Sequence, residues 1–284
     1  METNEQKNVQ YQSGGYANYQ GPPGEVEMSP QPQEQNNEYP QNKDPQYIEQ
    51  LQFEQPNEED ALIGYQIRNS FIRKTYGILL SQLALTTLFI SLTFIKSVRE
   101  KIQFNLKTNP IIGVFLFLFG IITFAIFIIL ACCKEIARKY PTNYILLFSY
   151  TLCMSFYLSL LCVQYNTKTV FSALLLTCAA TIGLTLYAMS TKRDFTFYGG
   201  FLFSFFLILF FSFILFWWIG AIVIYLALGI ALYAFYLIYD TQLILGKFGN
   251  EYDIDDYCFA ALNLYVDIIY LFIKILEILG SRDN

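Results

Sequence analysis

Residues 263–280 read NLYVDIIYLFIKILEILG, an apolar stretch long enough to cross most of a bilayer, yet Asn263, Asp267, Lys274 and Glu277 lie inside it. A charge at the centre of a spanning helix costs about 2.5–3.5 kcal/mol on insertion scales. Such residues face a bundle interior and mark an ion or proton path. The four polar residues fall at i, i+4, i+11 and i+14, within one face of a helix. Leu264, Ile268, Leu271, Ile275 and Leu279 flank that stripe with apolar side chains. The expected element is a central helix, surrounded by others, with its polar side on a pathway.

Moving outward, the chain offers further segments of the roughly 20 residues that a spanning helix needs. The expected spans are 75–95, 111–133, 143–163 and 169–190. Residues 197–239 run almost without a polar break, and at 1.5 Å per residue they measure about twice a 30 Å hydrocarbon core. Two helices are therefore expected there. The break is placed at Trp217-Trp218-Ile219-Gly220, because Trp favours the interface and Gly allows a tight turn. That sets spans at 197–217 and 220–245, with the seventh at 257–279. Backbone groups in lipid must be satisfied internally, and the alternation of a membrane barrel is absent, so all spans are read as helices. The fold class expected is an all-α integral membrane protein with seven transmembrane helices and the last helix central.

The net charge of −5 hides an uneven distribution. Residues 1–60 hold twelve acids and two lysines, while the remaining residues hold eleven acids and sixteen bases. Residues 1–62, rich in Gln, Asn, Pro, Gly and Tyr, expose too little apolar surface to offset ordering entropy and are expected to be a disordered acidic tail. Residues 63–284 form the membrane domain. With the N-terminus inside, nine basic residues lie on inside segments (Arg68, Arg73, Lys74, Lys134, Arg138, Lys139, Lys192, Arg193, Lys247) and six outside, which favours a cytosolic N-terminus. The first sixty residues are polar and lack an apolar h-region, so no signal peptide is expected in them.

The chain has no histidine, which removes His-based zinc sites, Ser-His pairs and His proton relays. Its six cysteines form no CxxC and are expected to be small buried hydrophobes. No GxSG or GxGD motif accompanies the acids, so no enzymatic activity is expected. Lys274 is displaced from the middle of its helix and no DRY or NPxxY motif occurs, which disfavours a retinal protein or receptor.

Asp240 is the only acid inside the other six spans. It lies about two turns before the link 246–256, and Asp267 about three turns after it. If these helices are antiparallel neighbours, the two carboxyls approach. Two buried acids in contact cannot both ionise readily and titrate as a unit. Lys274 and Glu277, nearer the helix end, are expected to snorkel to the membrane surface. In the link, Glu251, Asp253, Asp255 and Asp256 offer oxygen ligands that would concentrate a cation, but they lack an EF-hand pattern and read best as a solvated loop.

YDTQLILGK (239–247) followed by DYCFAALNLYVDIIYLFIKIL (256–276) resembles the signature of the transmembrane Bax inhibitor motif family. FIRKTYGILLSQL (71–83) resembles the start of that family's first helix. CCKEIARKYPTNYILL (132–147) and YNTKTV with TKRDFT (165–170 and 191–196) are similar to its Lifeguard branch. The resemblance covers about residues 65–280. It implies calcium leak across an endoplasmic reticulum, Golgi or surface membrane and suppression of cell death. It implies a pH-sensing pair at Asp240 and Asp267. Asn263, Gln242 and Tyr239, polar residues near them on the same two spans, are the supporting pathway candidates. Some members add a basic latch on the second helix; span 111–133 has none. The pair would hold Ca2+ transiently, with Ca2+ as the permeant ion and no cofactor. Expected partners are the lipid bilayer, Ca2+, protons and membrane proteins of cell-death pathways, with no nucleic acid. The other expectation kept open is a non-transporting scaffold acting by protein–protein interaction.

Overall fold

The computed structural model describes residues 58–219, 221–249 and 252–280. The expected tail up to residue 57 and Glu251 of the link lie outside the described residues. Every described element is helical: α1 Glu58–Leu92, α2 Lys96–Thr108, α3 Pro110–Cys132, α4 Lys134–Arg138, α5 Thr142–Cys162, α6 Thr167–Ser190, α7 Gly199–Ile219, α8 Ile222–Leu245 and α9 Tyr257–Gly280, with 3-10 turns before α7 and α9.

Five helical segments are long and apolar enough to cross a bilayer: Glu59–Leu92, Thr142–Cys162, Thr167–Ser190, Ile222–Leu245 and Ile254–Gly280. Shorter apolar stretches, Leu116–Cys132 and Thr196–Phe210, lie in α3 and at the start of α7. Their outward surface is apolar. Ile111, Phe117 and Phe124 of α3 are 70%, 70% and 64% exposed. Such a continuous hydrophobic exterior marks contact with lipid rather than water.

The last helix is the core of the assembly. Of its apolar span, 72% is buried, against 22–44% in the other four. It packs on α8, α6, α5 and α4. Leu262, Leu264, Tyr265, Leu271 and Leu276 are among the largest fully enclosed side chains. Beside this apolar packing runs a polar seam between α1, α5 and α9. Gln82 Nε2 donates to Thr151 Oγ1 (2.8 Å), and Thr86 Oγ1 hydrogen-bonds both Ser155 Oγ and Tyr265 OH (2.8 Å each). Interhelical hydrogen bonds of this kind add direction to packing that lipid-like side chains cannot specify.

Several boundaries differ from the expectation. The first helix begins at Glu58 rather than residue 75, so residues 58–62, assigned to the tail, are helical. No proline interrupts Glu58–Lys74, so the chain can continue as helix through these polar turns. Hydropathy alone misses this polar extension. The break between α7 and α8 follows Ile219, so Trp217 and Trp218 stay within α7. The segment between α1 and α3, expected only as a loop, forms α2. Arg99 and Gln103 of that helix bond the end of α5 and the turn after it: Gln103 Nε2 donates to Val163 O (2.8 Å), and Arg99 to Tyr165 O. The cysteines divide. Cys162 and Cys258 are buried, Cys153 is half-buried, and Cys132, Cys133 and Cys178 are exposed, so the expectation of burial holds for two. The outward ones lie on or at the ends of helices whose exterior is equally apolar.

Candidate functional site

The YDTQ segment ends α8. Gly246 closes that helix in the left-handed conformation (φ 64°), which only glycine adopts without strain, and donates its N–H to Gln242 O. The chain then turns and enters α9, which brings Asp240 and Asp267 together. Their carboxyls lie close enough to share a proton, and each residue is only 5% exposed. A hydrogen bond between two carboxyls requires a proton on one of them. Asp267 Oδ2 is enclosed and has no hydrogen-bond partner in the structure.

A third residue completes the arrangement. Tyr252, in the link, donates its hydroxyl to Asp240 Oδ1 (2.8 Å), and Asn263 Nδ2 donates to the Tyr252 hydroxyl (2.9 Å). Asn263, Tyr252, Asp240 and Asp267 thus form one continuous polar chain between the link and the centre of the bundle. Burial raises the Tyr252 phenol well above its ordinary range, and Asp240 beside it adds to the rise. Tyr252 is therefore a neutral donor at physiological pH. Its backbone is held in turn. Arg68 of α1 donates to Tyr252 O (2.9 Å) and to Leu243 O (2.6 Å), one of the open carbonyls in the last turn of α8. Around the pair, Tyr233 and Tyr270 stack at 5.2 Å, and Tyr76 hydrogen-bonds Thr241.

Other candidate residues lie elsewhere. Gln242 braces the turn before α7: its Oε1 accepts from Phe195 N (2.8 Å), and its Nε2 donates to Arg193 O (3.0 Å). Tyr239 packs against the smaller apolar cluster of Leu202, Leu209 and Leu232. Two link acids are tied to a base instead of forming an open cation-collecting loop. Arg138 donates to both oxygens of Asp256 (2.6 and 2.7 Å) and to Asp253. Its hydrogen bonds to the Asp256 carboxylate reinforce the charge on Arg138. Asp255 is exposed. Lys74 sits over the Tyr257 ring, 3.2 Å from its centroid. Lys274 and Glu277, expected to reach separately for the surface, pair with each other at 2.9 Å, their side chains 16% and 29% exposed. The three-residue spacing, nearly one turn of α9, lets each neutralise the other beside the Tyr225 ring.

The sequence of residues 68–284 matches the family model described as inhibitor of apoptosis-promoting Bax1. The chain belongs to the Bax inhibitor/Lifeguard family. As a member, it is 32% identical over 234 residues to Protein lifeguard 3 of Homo sapiens, covering 76% of this chain and 70% of that protein. It is 33% identical over 226 residues to Protein LIFEGUARD 2 of Arabidopsis thaliana, covering 77% of this chain and 90% of the relative. Family membership and the apolar helices together make the Lifeguard chain a multi-pass membrane protein.

Asp240 and Asp267 are legible from their isolation among apolar residues, and Asn263 from its periodicity. Tyr252 and Arg68 are not. In the sequence Arg68 is one of several basic residues that bear on topology, and Tyr252 is an aromatic in an acidic link. Neither has a local pattern, because each acts through contacts more than ten residues away.

Proposed function

We propose that this protein spans the membrane seven times, with its N-terminus in the cytosol, and forms a passive, proton-modulated Ca2+ leak in an internal membrane that restrains cell death. The observation that carries the leak is the buried Asp240–Asp267 contact on the central helix. With the shared proton present, the pair is a closed hydrogen-bonded contact. With it lost, like charges repel in a poorly solvated site and present hard oxygens to a passing cation. Among the described residues no group of three or more acidic, Cys or His side chains gathers, and a resident Ca2+ takes six to eight oxygens. Two carboxyls therefore suit transient passage better than storage.

The cell-death role rests on the description of the matching family and on the names of the Lifeguard relatives. Seven spans are supported by seven helices of at least 21 residues. The orientation is supported by one end of the bundle, where Arg68, Arg138 and Lys247 brace links through the contacts they make there. Transport rather than enzymatic turnover is the reading taken.

Purified protein reconstituted into vesicles loaded with a Ca2+ dye tests the mechanism. The parent should leak Ca2+ in a pH-dependent way. Asp240→Asn and Asp267→Asn should each flatten that dependence. Unchanged leak and unchanged pH profile in both variants would discard the mechanism.

A further inference from the structure

The turn joining α6 to α7 borders a cavity of about 640 Å³ between α7 and α8. Its mouth carries Arg193, and its walls are Phe195, Tyr198, Phe201, Leu202 and Phe235. We propose that this cavity binds one anionic phospholipid, with the phosphate on the Arg193 guanidinium and an acyl chain along the aromatic wall.

Three observations support that occupant. The first is depth. Arg193 lies between the end of α6 at Ser190 and the start of α7 at Gly199, the level of helix ends and hence of headgroups. Phe235 lies seven residues before Gln242, whose side chain bonds Arg193 O, and so about 10 Å further along α8. The cavity therefore runs from a polar rim into the apolar layer, as a lipid does.

The second is charge. Asp194 also lines the cavity, but its Oδ1 accepts from the backbone N–H (2.8 Å) and hydroxyl (2.6 Å) of Thr196, which hold it in its own turn. Among the described residues no carboxylate forms an ion pair with Arg193. Lys192 beside it is exposed, and Lys247 Nζ reaches Thr191 O (2.7 Å) and Met189 O (3.1 Å). Arg193 in the lining, with Lys192 beside it in sequence and Lys247 against the same turn, complements a phosphate diester with an additional negative headgroup. The third is the aromatic collar. Phe197, Tyr198 and Phe201 are 83%, 51% and 66% exposed, where aromatic rings meet headgroup and chain. Basic pockets between membrane helices that recognise anionic headgroups share this design.

Native mass spectrometry on detergent-purified protein, titrated separately with phosphatidylserine, phosphatidylcholine and soluble glycerophosphoserine, tests the assignment. The unaltered protein should retain one phosphatidylserine in preference to phosphatidylcholine, and glycerophosphoserine should compete poorly. Arg193→Gln should weaken phosphatidylserine retention about fivefold, the loss of one interfacial cation. Phe235→Ala should weaken both lipids together, and Lys107→Gln, on α2, should change nothing. Equal retention of the two lipids by the unaltered protein would overturn the proposal without any variant. So would Arg193→Gln at parental retention, or glycerophosphoserine competing as well as the intact lipid.

Discussion

Replacing Tyr252 by Phe removes one hydroxyl and two hydrogen bonds: the donation to Asp240 Oδ1 at 2.8 Å and the acceptance from Asn263 Nδ2 at 2.9 Å. The ring remains, edge-on to Phe259 at 5.9 Å, and Arg68 still holds the backbone carbonyl at 2.9 Å. The change is therefore confined to the contact with the acid pair. A neutral hydrogen bond contributes about 0.5–1.5 kcal/mol net, and one to a charged group about 1.5–3. Tyr252 is only half-buried, so water recovers part of the loss. The remaining bias, about 1–3 kcal/mol, corresponds to a 5- to 150-fold shift from the ionised toward the protonated pair, because the hydroxyl donates to the Asp240 carboxylate and favours its charged form. In the vesicle assay, Ca2+ leak at neutral pH should fall by a factor in that range. Asn263→Leu should lower it less, and the double variant should add little to Tyr252→Phe alone, because both act through one hydroxyl. Since the phenol is raised well above 10, its ordinary value, the donor is lost only as pH climbs through that raised value, and the donation should persist across the whole physiological range. Leak within twofold of the parent in Tyr252→Phe, or full additivity with Asn263→Leu, would refute this role for the hydroxyl. Loss of pH dependence in Asp267→Asn measured alongside would show that the acid pair itself still stands.

Other substitutions read the scaffold. Thr86→Val strips the shared hydroxyl from Ser155 and Tyr265 and should cost about 0.6–2 kcal/mol, seen as a lower thermal midpoint in detergent; an unchanged midpoint would mean that the seam adds nothing to packing. Arg138→Gln leaves Asp256, whose side chain is 10% exposed, without its base and should destabilise by about 1–3 kcal/mol in the same assay, with Asp256→Asn milder because the hydrogen-bonding shape survives. Gly280→Ala would place a methyl against Tyr165 Cε1, so the ring must move; the midpoint should fall and recover in part when Tyr165→Ala is added, whereas no fall would show that the ring has room to move.

Much of the architecture is legible in residues 263–280 and their echoes upstream. Helix type follows from the length of each apolar run, since lipid leaves no other way to satisfy the backbone. Centrality of the last helix follows from the polar stripe that it alone carries through its length. Asp240 and Asp267 stand out because an acid in hydrocarbon is costly enough to need a reason. The ends of helices are less legible. Hydropathy does not register the polar turns Glu58–Lys74, which continue α1 because nothing in them breaks a helix. The cysteines of α3 and α6 face outward for a related reason: a membrane span is apolar on every side, so composition does not distinguish interior from lipid face.

By itself, then, the sequence determined which long apolar segments are helices, which acids are out of place and, through its motifs, which family they resemble. All of these depend on local composition and short spacing. The tertiary structure alone decided that Asp240 and Asp267 touch, that Tyr252 and Asn263 complete their chain, and that Arg68 anchors the link. It also turned Gln242 from a pathway candidate into a brace, and two acids of the link into partners of Arg138. Each of those outcomes depends on how one helix is rotated against another. On an all-round apolar surface that rotation is set by the few interhelical hydrogen bonds and close contacts, not by any periodicity along the chain.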